Sequence, residues 1–103
     1  MVYGFKMKLK KGCEEEYKKR HDNLWPEMKR MIHENGGSDY SIFLDRETCV
    51  LYASIKISDP ERWIKGSENE INKKWSEYMA DIMEVNEDNS PVSESLSLMF
   101  HLD

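Results

Sequence analysis

Tyr17-Lys18-Lys19-Arg20-His21-Asp22-Asn23-Leu24-Trp25-Pro26-Glu27 decides how this chain is read. As a helix it sets Tyr17, His21 and Trp25 four residues apart, with Leu24 and Met28 completing one inward stripe. A histidine therefore sits on the packed face beside a phenol one turn away, with an ordinary pKa of about 6.5 that suits proton transfer near neutrality. Pro26 lacks an N–H and crowds the carbonyl four residues before it, so the helix must kink or restart just after His21 and Asp22. A kink beside a titratable inward group is a place for a small pocket. Spacing alone leaves a second reading open, in which His21 is a core residue bonded to a backbone carbonyl.

Working outward, Tyr3, Phe5, Met7 and Leu9 alternate with glycine and lysines, the period of a half-buried strand. Lys11-Gly12 ends it, and the first helix is expected over roughly 13–35, bent near Pro26, until Asn35-Gly36-Gly37 stops it. Tyr40, Ile42 and Leu44, then Cys49, Leu51, Ala53, Ile55 and Ile57, form two alternating runs joined by Asp45-Arg46-Glu47-Thr48, which predicts a hairpin. Asp59-Pro60 predicts a helix start, with Asp59 as N-cap and Pro60 in the first turn. That helix is short, to about Lys65, with Gly66 interrupting. Ser67-Glu68-Asn69-Glu70 then has capping-box spacing, and Ile71, Trp75, Tyr78, Met79 and Ile82 form a second inward stripe. Asn86 to Pro91 is turn chemistry, and Leu96, Leu98, Phe100 and Leu102 alternate in a last strand expected to reach the C-terminus.

The order β-α-β-β-α-β predicts an α+β fold of ferredoxin-like type, an antiparallel sheet with its helices on one face, in a single domain spanning 1–103. A chain of 103 residues buries about 60–70% of its unfolded surface and needs no metal or disulfide to fold. The uncovered sheet face carries Phe43, Val50, Tyr52 and Met99, too apolar in sum for a solvated surface. A homodimer is therefore expected, packed sheet against sheet or exchanging edges through the C-terminal strand.

With 15 Lys and Arg against 20 Asp and Glu, a net charge of −5, the chain has no basic stripe for phosphates, so nucleic acid is not an expected partner. The first ten residues alternate apolar and charged, unlike a signal peptide or membrane span, and a cytoplasmic location is expected. Cys13 and Cys49 are expected as free thiols, and no His, Cys or carboxylate spacing predicts a metal site.

Beside His21, three aromatic groups stand out: Tyr17, Tyr40 and Trp75. Each is individually consistent with core packing. Together, aromatic faces that stack on sugar C–H groups and phenol and indole groups that bond hydroxyls suit a small polyhydroxylated ligand.

Tyr17 to His21, Asn23-Leu24-Trp25-Pro26-Glu27, Tyr40, Trp75 with Tyr78-Met79, and Asp88-Asn89-Ser90-Pro91-Val92-Ser93 together resemble the L-rhamnose mutarotase family over almost the whole chain. The resemblance implies that His21 is the proton donor, that Tyr17 and Tyr40 bind the sugar, and that Trp75 holds the first position of a tryptophan pair set against it. The second position here is Ser76, a hydroxyl in place of a large stacking surface. It further implies a dimeric α/β barrel-type assembly, a cytoplasmic place in rhamnose catabolism, L-rhamnose as substrate and no cofactor. Two rivals share parts of the pattern: a small dimeric cofactor-free monooxygenase-like barrel, and a non-catalytic sugar-binding module.

Overall fold

Pro26 breaks the first helical stretch in two. In the computed structural model, which describes residues 1–103, helix α1 spans Glu14–Asp22 and helix α2 spans Pro26–Glu34. Asp22 is the residue whose carbonyl the proline ring would strike, so α1 ends there rather than bending onward. The orphan carbonyls are met locally, since Asn23 Nδ2 donates to Lys19 O at 2.9 Å and Leu24 N donates to His21 O at 3.2 Å. Pro26 then occupies the first turn of α2, where no N–H is required. The expected single bent helix over 13–35 is thus corrected to two.

Strand β1 (Val2–Lys8) lies between β3 (Val50–Ile57) and β4 (Ser93–Leu96), and β2 (Gly37–Asp45) forms the far edge. The order is β2-β3-β1-β4 and every neighbouring pair is antiparallel. Alternation along β3 sends Leu51, Ala53, Ile55 and Ile57 into the core and leaves Tyr52, Ser54 and Lys56 exposed. Leu9, Leu51 and Ile55 are fully buried, and burying such side chains stabilises by about 1.5–3 kcal/mol each.

Register in β2 shifts between Ser38 and Ser41. Ser38 pairs with Lys56 and Ser41 with Ser54, so Asp39 and Tyr40 together stand opposite Ile55, a bulge with Asp39 at φ 48°. Beyond the bulge Ile42 and Leu44 share a face with Ala53 and Leu51, and Phe43 faces the other way against Tyr52.

Helix α3 (Pro60–Gly66) is capped as expected, with Asp59 accepting from Glu61 N and Arg62 N. Helix α4 (Glu70–Met79) is not capped by Ser67. Its cap is Asn69, whose side chain accepts from Ile71 N at 2.7 Å, while Ser67 Oγ donates back to Ile64 O at 2.6 Å and so belongs to the end of α3. The stripe on α4 delivers Trp75 and Met79 to the core, and Ile82 and Met83 follow them.

The last strand is shorter than expected. Leu96 pairs with Gly4, so β1 could accompany the chain no further than Leu98, and residues 97–103 form no strand. Leu98, Met99, Phe100 and Leu102 are left exposed, Met99 at 89%. On the sheet face away from the helices Phe43 is 66% and Tyr52 41% exposed.

Candidate active site

Helix α1 delivers Tyr17 and, one turn on, His21 side by side to a cleft of about 1110 Å³ between helices and sheet. Their rings stack at 4.3 Å with planes 27° apart. From α4, Trp75 meets the imidazole edge-on at 5.4 Å, and Ser76 lines the same cleft. Tyr40 enters from β2 within the bulge, its ring edge-on to Phe5 at 6.3 Å. The structure therefore brings together all five residues named from the sequence: Tyr17, His21, Tyr40, Trp75 and Ser76.

Tyr17 and Trp75 are each only 8% exposed, and His21 is half-buried. No side-chain nitrogen or oxygen in such residues is both sealed from solvent and unpaired. Tyr17 Oη, His21 Nε2 and Trp75 Nε1 make no hydrogen bond within the protein and so keep contact with solvent, and all three residues line the cleft. A buried aromatic that keeps its polar atom free for solvent is equipped to meet a ligand.

The histidine's tautomer follows from its one bond. Nδ1 lies 3.1 Å from the Tyr17 carbonyl, which only accepts, so Nδ1 carries a proton in the neutral and charged rings alike. Nε2 is the nitrogen that titrates. Burial lowers the His21 pKa below its ordinary 6.5, against the opposing pull of the Tyr17 carbonyl and Asp22, so the ring rests neutral at pH 7. The phenols move the other way. Burial, with help from Tyr40, pushes Tyr17 well above its ordinary value. Tyr40 keeps 38% of its surface exposed, yet enough protein surrounds its phenol that desolvation, aided by Tyr3, pushes it up to about 12. Both phenols remain protonated donors while His21 offers a lone pair.

Three residues that line or back the site escaped the sequence reading. Trp25, standing in the break before Pro26, meets Trp75 edge-on at 5.1 Å, and Tyr78 tilts against both at 5.5 and 5.6 Å. Both lay on inward stripes, and neither lines the cleft: they back Trp75, a role that a stripe, which reports only burial, does not reveal. Tyr3, stacked on Phe5 at 5.3 Å and bonded to Ser95 Oγ at 3.0 Å, lines the cleft from the sheet, where strand alternation gave no signal of its own. No three His, Cys, Asp or Glu side chains converge as metal ligands.

An open antiparallel sheet carrying four helices, with an aromatic-walled cleft holding a neutral histidine and two protonated phenols, defines a small α+β protein built for proton transfer on a hydroxylated ligand. A family profile described as L-rhamnose mutarotase matches residues 2–102. The chain is 64% identical over 99 residues to an L-rhamnose mutarotase of Lachnoclostridium phytofermentans, covering 96% of this chain and 95% of that one. It is 52% identical to another from Bacteroides thetaiotaomicron over the same shares. The crystal structure of an L-rhamnose mutarotase from Formosa agariphila superposes with a TM-score of 0.91 at 50% identity, covering 100% of this chain and 99% of that one. This chain belongs to the L-rhamnose mutarotase family.

Proposed function

We propose that this enzyme is an isomerase that interconverts the α and β anomers of L-rhamnose by opening and reclosing the pyranose ring, with His21 Nε2 moving one of the two protons. The observation that carries the reading is the set of unpartnered polar atoms on the buried Tyr17 and Trp75 and the half-buried His21, which share one wall of the cleft.

Opening requires one proton to leave the anomeric hydroxyl and one to reach the ring oxygen. Neutral His21 takes the first at Nε2. A water held by the Tyr17 and Tyr40 hydroxyls supplies the second. After the aldehyde carbon turns, the imidazolium acts as proton donor to the carbonyl oxygen, the C5 hydroxyl returns its proton to the water site, and the ring closes on the opposite face. Trp75 offers an aromatic face to the sugar's C–H groups, and Ser76 a hydroxyl where a larger ring would stack. Acid–base assistance of this kind is worth about 10² to 10⁴ in rate, a fitting scale for a reaction that water already performs slowly.

The finer architecture belongs to the same proposal. The β2-β3-β1-β4 order and the paired helices after β1 and β3 support a ferredoxin-like unit. The exposed Phe43 and Tyr52, with the apolar tail beyond Leu96, support a homodimer of barrel type in which two copies cover each other's open sheets. The family resemblance supports work in the cytoplasm on rhamnose destined for catabolism.

Exchange between the α and β anomeric protons of L-rhamnose, followed by NMR with catalytic protein, His21→Ala and buffer, tests the reading. Wild type accelerates exchange and the variant falls at least a hundredfold. Wild-type turnover in His21→Ala rejects the assignment of the histidine. Sugar-dependent tryptophan quenching without accelerated exchange selects a binding module instead.

A further inference from the structure

Trp75 sets the edge of the cleft against His21, yet no hydrogen bond of its own holds it there. Its orientation rests on the rings packed behind it, Trp25 at 5.1 Å and Tyr78 at 5.6 Å. Tyr78 is itself 44% exposed and needs a fixed backing. Arg20 supplies it. The guanidinium lies over the Tyr78 ring at 4.5 Å and Nη1 donates to the Tyr78 carbonyl at 2.7 Å, holding the same residue by ring and by backbone. Three further bonds hold the fork: Nη1 and Nη2 reach the two Asp81 oxygens at 2.8 and 3.1 Å, and Nε reaches Glu16 at 3.1 Å. This side chain is only 11% exposed, unlike an ordinary surface arginine. A planar fork bound on both edges and stacked on its face has one available geometry, so it fixes Tyr78 rather than merely pairing with it.

We propose that Arg20, anchored by Asp81, is a positioning residue for sugar binding: through Tyr78 it sets the angle of Trp75, and hence the width of the cleft beside His21. Its own side chain is not among those lining the cleft. The inference rests on the mutarotase reading, and loss of the clamp raises KM far more than it lowers kcat.

The test compares wild type, Arg20→Gln, Arg20→Lys and Asp81→Asn by NMR anomer exchange over a range of L-rhamnose concentrations, with near-ultraviolet circular dichroism of each free protein. We expect KM to rise five- to twentyfold in Arg20→Gln with kcat within threefold, and two- to fivefold in Asp81→Asn. Arg20→Lys restores the charge without the planar fork, so its KM stays within twofold of Arg20→Gln. The aromatic dichroism weakens in the same order. Asp81 is exposed, so Asp81→Asn folds even if the Arg20 variants do not. A lower melting temperature with unchanged KM and dichroism makes Arg20 a stability strut only and overturns the proposal, as does full rescue by lysine. Wild type without activity defeats the mutarotase reading instead, and the dichroism alone then decides whether Arg20 orders the aromatic wall.

Discussion

His21 turns Nδ1 toward the carbonyl of Tyr17, 3.1 Å away on the same helix, and this bond makes Nε2 the only nitrogen that gains or loses a proton. Desolvation lowers the pKa below 6.5, so the base step draws on the form that dominates at neutral pH. kcat/KM for L-rhamnose, corrected for the spontaneous reaction, is therefore flat from neutrality upward and falls on acidification with a midpoint below 6.5. Tyr40 adds no basic limb before about pH 12. A rate that climbs on acidification through this range would instead show that the imidazolium starts the reaction.

The same shift makes a stability statement. Below about pH 6.5 the unfolded chain binds a proton at His21 that the folded chain still refuses. The contribution is fully present above 6.5 and is lost as pH falls through the lower folded-state value. Denaturant midpoints measured between pH 7.5 and 5 should fall in wild type and fall less in His21→Gln.

Replacing Tyr17 by phenylalanine keeps the ring that stacks on His21 at 4.3 Å and removes only the hydroxyl. The His21 bond to the backbone survives, because it uses the carbonyl. We expect Tyr17→Phe to fold as wild type and to lose about 10- to 100-fold in kcat/KM, less than the roughly 10² to 10⁴ of an acid–base group itself, because the hydroxyl only holds the water that moves the proton. Steady-state NMR exchange rates decide it, and an unchanged kcat/KM removes Tyr17 from the site.

Asp39 holds φ at 48°, where a β-branched side chain is strained. Asp39→Val should cost about 1–3 kcal/mol and raise KM by loosening the entry of Tyr40, whereas Asp39→Gly should match or exceed wild-type stability. Urea unfolding of the two variants checks the sign, and equal stability of both would show the bulge relaxed.

The open sheet face offers its own test. Phe43 stands opposite Tyr52 with both rings exposed. Glutamate at position 43 places a charge where two copies are proposed to meet, so Phe43→Glu should give the monomer mass by light scattering at micromolar protein while wild type gives twice that mass. A monomeric wild type removes the dimer.

Most of the fold was legible because period-two and helical stripes report which side chains are buried, and burial decides the layers of a small domain. The Asp59-Pro60 start, the hairpin and the first strand were all readable in that way. What escaped were matters of competition between neighbours. Ser67 and Asn69 both offer a cap, and only the path of the chain out of α3 makes Asn69 the one that closes α4. Leu98, Phe100 and Leu102 alternate like a strand, but a strand needs a partner, and past Leu98 the register leaves β1 no residue to offer. The site was legible where chemistry is unusual, at His21 with its phenols, and silent where it is ordinary: Tyr78 and Trp25 look like any packed ring until Arg20 and Trp75 are placed around them.

The bulge in β2 settles a question of parity. Gly37, opposite Ile57, and Ile42, opposite Ala53, look toward the same side of the sheet, although an odd and an even position of an unbroken strand never do. The turn that ends α2 and the hairpin that leads into β3 each impose their own phase, and the two disagree by one residue. Asp39 is that residue. It lets the backbone change step within one pair, so that the helix end, the hairpin and the Tyr40 phenol are all served by one strand. Length in this segment is therefore information: removing a single residue from it would force the chain to choose which of the three to abandon.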